Sequence, residues 1–332
     1  MKNEKCFVPE QRGSLFPKQI PGMFPLQKTL LLLPVLFLLC FLCGFAANPA
    51  AADWAPLVTR LIADGFDEQA IQGIFSRPEV QFEPGAMKTK MEELLRYRVA
   101  ASEPPSPPPK NRAVMKGFLK DGVLAKARSF IREHQPILEN IHSTYGVPKE
   151  IVVSILLVET RLGEYVGSQL AFNRLASMAL CTDLDRVRPF ISRKLLTPRT
   201  EDYARERCWE KANWAYNELK ALLAYTDKSG MDPVTIPGST YGAIGLCQFM
   251  PSNIFPFGVD ADQDGRIDLF TRSDALHSIA NYLRGHGWSG TMPKSSQQKV
   301  IFAYNRSSVY ANTVLAVADR LKEKGRPKSR LG

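Results

Sequence analysis

The stretch Ile151-Val152-Val153-Ser154-Ile155-Leu156-Leu157-Val158 constrains this chain more than any other. Pro148 just ahead of it is a favoured first-turn residue, so the run reads as a helix. A helix apolar on nearly every face must pass through a core rather than lie on a surface. Glu159 follows directly, one and two turns beyond Ile155 and Ile151, which puts a carboxyl near the buried stripe at the helix's C-terminal end. Desolvation and the negative end of the helix dipole both disfavour its charged form, and a raised pKa is what a general acid requires. The same residues also admit a second reading, a glutamate at the rim of the core paired with Arg161 or another cation.

Helical periodicity extends through the rest of the chain. Leu57, Leu61, Ile62 and then Ile71, Ile74, Phe75 recur at helical spacing, with Gly65 and Pro78 as breaks, and Val123, Ala127, Phe130, Ile131, Ile137, Leu138 and Ile141 form a later run. Between them Glu103-Pro104-Pro105-Ser106-Pro107-Pro108-Pro109 excludes helix and central strand and predicts an extended connection. Strand signals are scarce, so the predicted fold is mainly α. The expected division is an N-terminal helical region over 53–142 containing the Pro-rich connection at 103–109, a core over 143–324, and a basic tail over 325–332.

From Leu30 to Ala47 no residue is charged; Lys28 precedes the run and Asn48-Pro49-Ala50-Ala51-Ala52 follows it. That is the pattern of an export leader over residues 1–52, with Met23 as an alternative start. An uncleaved membrane anchor is the competing reading, because the run sits at the lower length bound for a span. Cys40 and Cys43 both follow Leu, where a lipoprotein signal has a small residue. The expected location is outside the cytoplasm, in the periplasm, with membrane anchoring as the alternative. In such an oxidising compartment a Cys181–Cys208 bridge is expected, closing a charged segment with little core of its own, while Cys247 reads as a small buried side chain.

Lys and Arg number 43 against 33 Asp and Glu, a net charge of +10, and the leader carries only a small part of that excess. An anionic partner or surface follows. Aromatic and basic residues are not interleaved as in an RNA-binding sheet, so nucleic acid is a poor explanation, and a membrane surface or cell wall a better one. His134, His142, His277 and His286 lack metalloprotease spacing, and no phosphate-binding glycine motif is present, so neither catalytic zinc nor an organic cofactor is expected. Asp260-Ala261-Asp262-Gln263-Asp264-Gly265-Arg266 places oxygen donors at alternate positions, with a glycine at the sharp turn, as a calcium loop opens. Its twelfth position, Thr271, is not the bidentate Glu of an EF-hand, and an acidic surface turn held by its own hydrogen bonds remains the other reading.

Four motifs in order, Tyr145-Gly146-Val147-Pro148, Val158-Glu159-Thr160-Arg161-Leu162-Gly163, Tyr241-Gly242-Ala243-Ile244-Gly245-Leu246-Cys247-Gln248-Phe249-Met250-Pro251-Ser252 and Ala280-Asn281-Tyr282-Leu283-Arg284-Gly285-His286-Gly287-Trp288, are joined by Ala303-Tyr304-Asn305. Together they resemble the membrane-bound lytic murein transglycosylase B family, a lysozyme-like group that cleaves peptidoglycan glycan strands. The resemblance runs from about Trp54 to Leu321. It implies a goose-lysozyme-like core with a helical accessory region, and Glu159 as the sole catalytic acid and base. It further implies that Ser239 bonds near Glu159, that Gln248, Tyr241 and Asn305 contact substrate, and that Tyr304 sits across the cleft. Gly242 and Gly245 would let the loop backbone approach the glycan or simply permit tight turning. The only nearby second carboxyl, Glu164, lies past Gly163 and is expected to point elsewhere. By the same resemblance an enlarged calcium loop would be closed by a later carboxylate, giving Asp260, Asp262, Asp264, the Arg266 carbonyl and Asp274 as ligands of a structural Ca2+.

Peptidoglycan strands are the implied partner, with other cell-wall enzymes and the membrane surface as further ones. Two competing functions stay open: a catalytically silent peptidoglycan-binding or scaffold protein, and a muramidase-type hydrolase taking its second carboxylate from Asp183 to Glu210. The segment 183–207 is longer than the resemblance predicts and is read as a surface insertion, shaping the cleft, docking a partner or merely solvated.

Overall fold

The computed structural model describes residues 53–100 and 113–323. The leader, the Pro-rich connection at 103–109 and the basic tail at 325–332 lie outside the described residues. The described chain is mainly helical, as its periodicity predicts, and divides into two compact units between Phe82 and Glu83.

The first unit holds α1 (Ala55–Ala63) and α2 (Glu68–Phe75). Pro56 starts α1 where its missing N–H costs nothing, and Asp67 caps α2 by accepting the Ala70 N–H at 2.8 Å. Leu57, Leu61, Ile71 and Phe75 face inward, and the Trp54 ring lies 5.4 Å from that of Phe75. This is a small core of the kind periodic apolar positions dictate.

The second unit begins far earlier than residue 143, which corrects the expected boundary. It contains α3 (Gly85–Ala100), α4 (Asp121–Glu133), α5 (Gln135–Tyr145), α6 (Lys149–Thr160), α7 (Ala171–Leu180), α8 (Glu201–Ser229), α9 (Ile254–Phe257), α10 (Arg272–Gly285), α11 (Lys294–Tyr304) and α12 (Ser308–Glu323). The physical reason is packing: Leu124, Ala127 and Phe130 of α4 are buried as α4 packs on α6 and α12, and Leu138 and Ile141 of α5 are buried as α5 packs on α10 and α6. Helices that share one core cannot be an accessory region to it.

The apolar helix takes the central place its sequence requires. In α6 every residue from Ile151 to Leu157 is buried, against α12, α4, α10 and α5. Ser154, the one polar residue in that run, returns its hydroxyl to the Glu150 carbonyl. Burying a side chain of this kind contributes about 1.5–3 kcal/mol, so α6 anchors the unit. The two short strands, β1 (Gln169–Leu170) and β2 (Pro237–Gly238), pair antiparallel and tie the chain after α6 to the glycine-rich loop.

The expected Cys181–Cys208 bridge is not formed. Both thiols are free and buried; the Cys208 thiol donates to the Cys181 carbonyl at 3.2 Å, and that of Cys181 donates to Ser177 O. The charged segment between them is held by ions instead. Arg188 bonds Asp185 and Glu201, and Arg205 reaches Glu201 at 2.9 Å.

Candidate active site

Glu159 lies one residue from the end of α6, which terminates in an unusual way. Arg161, Leu162 and Gly163 all have left-handed backbones, with φ of 54°, 68° and 92°. For each of the two non-glycine residues this costs roughly 1–2 kcal/mol. The turn is held by bonds from both sides: the Thr160 hydroxyl donates to Leu246 O at 3.0 Å, and the Gln248 side-chain amide donates to Val166 O at 3.2 Å. Loop 237–250 and the end of α6 are thus fastened to one another across Glu159.

Aromatic side chains surround the carboxyl. Tyr304 at the end of α11 packs against Phe249 and Tyr282, and lies parallel to Tyr310 of α12 with centroids 6.4 Å apart. The Tyr304 hydroxyl donates to Cys247 O at 2.6 Å, and that of Tyr282 to Ala303 O at 2.9 Å. Tyr310 is buried, and its hydroxyl, which makes no hydrogen bond of ordinary geometry to a described residue, lies near enough to Glu159 to favour the charged carboxylate. Burial lifts the Glu159 pKa to about 7, and the Tyr310 hydroxyl pulls it partly back. Burial, reinforced by the nearby Glu159 charge, raises both Tyr304 and Tyr310 well above their usual range, so both stay neutral donors.

Among the described residues Glu159 makes no ion pair, so the reading in which Arg161 neutralises it fails; Arg161 is exposed. Glu164, the nearest acid along the chain, is turned to Lys126 at 2.7 Å and sits in solvent. Of the acids of segment 183–210, Asp183, Asp185 and Glu201 pair with Arg188 and Arg205, Glu206 and Glu210 pair with Arg207, and Asp202 is exposed on the first turn of α8.

The remaining predicted residues sit on the same loop with different duties. Ser239 Oγ accepts the Tyr241 and Ala243 N–H groups at 3.3 and 3.0 Å, so it orders the loop, and no bond from it to Glu159 is formed. Gln248 has a left-handed backbone, φ 51°, and spends both amide hydrogens on Val166 O and Gly245 O, which leaves its carbonyl oxygen as an acceptor. Tyr241 donates its hydroxyl to Glu93 at 3.1 Å, and the Lys90 ammonium covers one face of its ring at 4.2 Å. Tyr304 is the last residue of α11 and Asn305 its C-terminal cap, and Asn305 is exposed. The glycines face protein, not the cleft: a Cβ on Gly242 would lie 2.6 Å from Leu175 Cγ, and one on Gly245 2.5 Å from Leu269 Cβ. Cys247 is an inert, buried thiol raised to about 12 by burial.

Tyr310 was not legible as a site residue, although a signal existed. Tyr310, Ala311, Val314, Val317, Ala318 and Leu321 form the buried face of α12, and a tyrosine on such a face needs a partner for its hydroxyl.

The acidic loop is a second, separate cluster. One carboxylate oxygen from each of Asp260, Asp262 and Asp274 lies within 4.8 Å of the others. Asp274 is 1% exposed, in the first turn of α10, and accepts the Ala261 and Asp268 N–H groups at 2.9 and 2.7 Å. Burial first, then the facing Asp262 and Asp260 charges, raise its pKa against those bonds. Three converging carboxylates and no nitrogen or sulfur donor fit a hard cation such as Ca2+. Asp264 stands outside this trio, its carboxylate lying 3.6 Å from the Arg266 guanidinium.

Comparisons with known proteins bear on the family and the fold. Residues 49–297 match the family described as Transglycosylase SLT domain. A relative from Escherichia coli (strain K12), "Membrane-bound lytic murein transglycosylase B", is 29% identical over 252 residues, 74% of this chain. The chain spans 59% of that relative's length. The fold is that of soluble lytic transglycosylase SltB1 from Pseudomonas aeruginosa, at 23% identity and TM-score 0.62 over 82% of this chain and 99% of that one. Escherichia coli Slt35, solved in complex with calcium, superposes at TM-score 0.60 and 23% identity over 84% of this chain and 95% of its own.

Proposed function

The chain belongs to the transglycosylase SLT domain family, and from that premise we propose that it is a lytic transglycosylase acting on the MurNAc-GlcNAc β-1,4 bonds of peptidoglycan. The observation that carries the reading is Glu159 itself: one carboxyl whose pKa burial lifts to about 7, two neutral tyrosines beside it and, among the described residues, no second acid whose charge acts on it. A hydrolase that retains or inverts the sugar uses two carboxyls at set separations. A lone carboxyl suits a reaction in which the sugar supplies its own nucleophile.

In that reaction Glu159 first gives its proton to the glycosidic oxygen as the bond to C1 breaks. The resulting carboxylate then takes the proton of the muramoyl C6 hydroxyl, whose oxygen closes on C1. The product carries a 1,6-anhydro ring, water is not consumed, and Glu159 ends protonated as it began. A pKa near 7 serves both halves, because the group is a competent acid and its conjugate a competent base at one pH. Tyr310 would stabilise the carboxylate between the two steps by its hydroxyl. The Gln248 carbonyl would accept from a sugar hydroxyl or N-acetyl N–H, and Asn305, exposed beside Tyr304, would offer a further polar contact.

Asp260, Asp262 and Asp274 would hold a structural Ca2+, fixing loop 260–274 to the start of α10; the ion takes no part in bond cleavage. The relative's name places that protein at a membrane and on murein. For this chain, export by its leader and a place in the envelope, cleaved or anchored, follow from the same reading, with wall remodelling or turnover as the role.

Mass analysis of the products from purified sacculi, with the Glu159→Gln variant alongside, tests the function. Ends lighter by one water than hydrolysed ends are expected from the wild type and none from the variant. Reducing ends would identify a hydrolase, and glycan binding without product a silent binding protein.

A further inference from the structure

The helix α3 was assigned to an accessory region by its sequence, yet its acids reach three parts of the larger unit. Glu83, just before α3, receives the Arg174 guanidinium at 3.0 Å, while its own N–H donates to Ser177 Oγ. Glu92 accepts the Ser192 N–H at 3.1 Å from the charged segment. Glu93 reaches the loop that carries Gln248: its Oε1 accepts the Tyr241 hydroxyl at 3.1 Å, and its Oε2 receives the Lys90 ammonium at 2.7 Å.

Lys90, Glu93 and Tyr241 therefore form a closed triangle. Lys90 and Glu93 stand one turn apart on α3, and Lys90 also lies over the Tyr241 ring at 4.2 Å. The tyrosine is held from its face and from its hydroxyl at once. Its hydroxyl titrates above the usual range because of burial and the Glu93 charge, so it remains a donor.

The position of Tyr241 gives the triangle its consequence. It follows Ser239, which orders the 239–243 turn, and the chain then runs directly to Leu246, Cys247 and Gln248. That second half of the loop is fastened from the Glu159 side by Thr160, Tyr304 and the Gln248 bond to Val166. The first half is fastened by the Tyr241 side chain to α3. We propose that Glu93 and Lys90 are positioning residues of the active site, which act through Tyr241 to hold loop 239–248 at the distance from Glu159 that productive glycan binding needs. The proposal deepens the transglycosylase reading and rests on it. It also gives Tyr241 a tethering duty in place of direct sugar stacking on its covered face.

A double-mutant cycle on the full chain tests this, with kcat/KM on glycan strands and melting temperature read together. Tyr241→Phe and Glu93→Ala are each expected to lower kcat/KM about tenfold, and the double variant no further than either one. Glu93→Gln, which keeps an acceptor for the hydroxyl, should recover most of the loss. Lys294→Met, which breaks an exposed pair with Asp319 elsewhere, is the control and should leave kcat/KM unchanged. Single variants at wild-type kcat/KM, multiplicative losses in the double variant, or losses that merely follow a fall in melting temperature would each overturn the proposal. Should the wild type yield no product, the transglycosylase reading fails on its own, and the same cycle read in affinity for a glycan tetrasaccharide still decides the positioning role.

Discussion

Glu159 and Asp274 are both enclosed carboxyls with raised pKa values, and almost everything else about them differs. Among the described residues Glu159 makes no ion pair; it lies at the end of a helix where the dipole is negative, with one tyrosine hydroxyl nearby. Asp274 begins a helix, accepts two backbone N–H groups, and faces two further aspartates within 4.8 Å. Isolation makes a carboxyl a proton carrier, because its cheapest response to burial is to become neutral. Crowding suits a carboxyl to cation binding, because three like charges are best relieved by one shared divalent ion. Burial alone does not distinguish these roles; the company of the carboxyl does.

The largest test of that contrast is Glu159→Gln, which should reduce cleavage about 10³-fold or more while leaving the fold intact. A carboxyl whose folded pKa is raised stabilises fully below its unfolded value and loses that contribution as pH rises through about 7. The variant should therefore melt above the wild type at pH 8, with the gap closing below pH 5. A variant that melts lower at pH 8 would mean Glu159 is paired in its charged form.

Cleavage by the wild type should fall about tenfold per pH unit above pH 7, as the fraction of protonated Glu159 declines. A flat profile to pH 9 would break the proton-carrier half of the comparison. For the cation half, Ca2+ at about 100 times its Kd should stabilise the protein by roughly 2.7 kcal/mol, read as a rise in melting temperature. Asp262→Ala should abolish that rise and leave cleavage at saturating substrate nearly unchanged. The smallest effect belongs to Tyr310→Phe: removing the hydroxyl that lowers the Glu159 pKa should move the fall in activity to higher pH by less than about one unit.

How far these roles were legible depends on how local their causes are. The helix α6 and the position of Glu159 on it follow from consecutive residues, since the eight uncharged positions 151–158 permit little else. The alternation Asp260, Asp262, Asp264 was equally plain, but that Asp260, Asp262 and Asp274 converge while Asp264 turns to the Arg266 side chain is set by the fold and leaves no trace in spacing. The expected boundary at 142/143 follows where the local motifs begin, while the burial of Leu95, Leu124 and Phe130 in one unit is a long-range fact. The Cys181–Cys208 pairing failed for a similar reason: two cysteines and an oxidising compartment do not specify sulfur positions, and here each thiol satisfies a backbone carbonyl. Tyr310 and Glu93 come from chain segments 151 and 66 residues from Glu159, and only the fold brings the first to the carboxyl and the second to its loop.

The left-handed run Arg161-Leu162-Gly163 has a consequence for how this chain can change in length. One residue added within α6 would turn everything beyond it by about 100°, carrying Glu159 out of its aromatic surround. One residue added after Thr160 would have to be absorbed by a turn whose two flanks are already bonded to Leu246 and Gln248. The interval from Pro148 to Val166 is therefore closed to insertion and deletion at either end. Segment 183–200 is anchored by buried Leu184, Val187 and Ile191, and its exposed stretch around Arg193 and Lys194 and again at Pro198 and Arg199 is open to both. Among relatives of this protein, variation in length should accumulate in the second interval and be absent from the first.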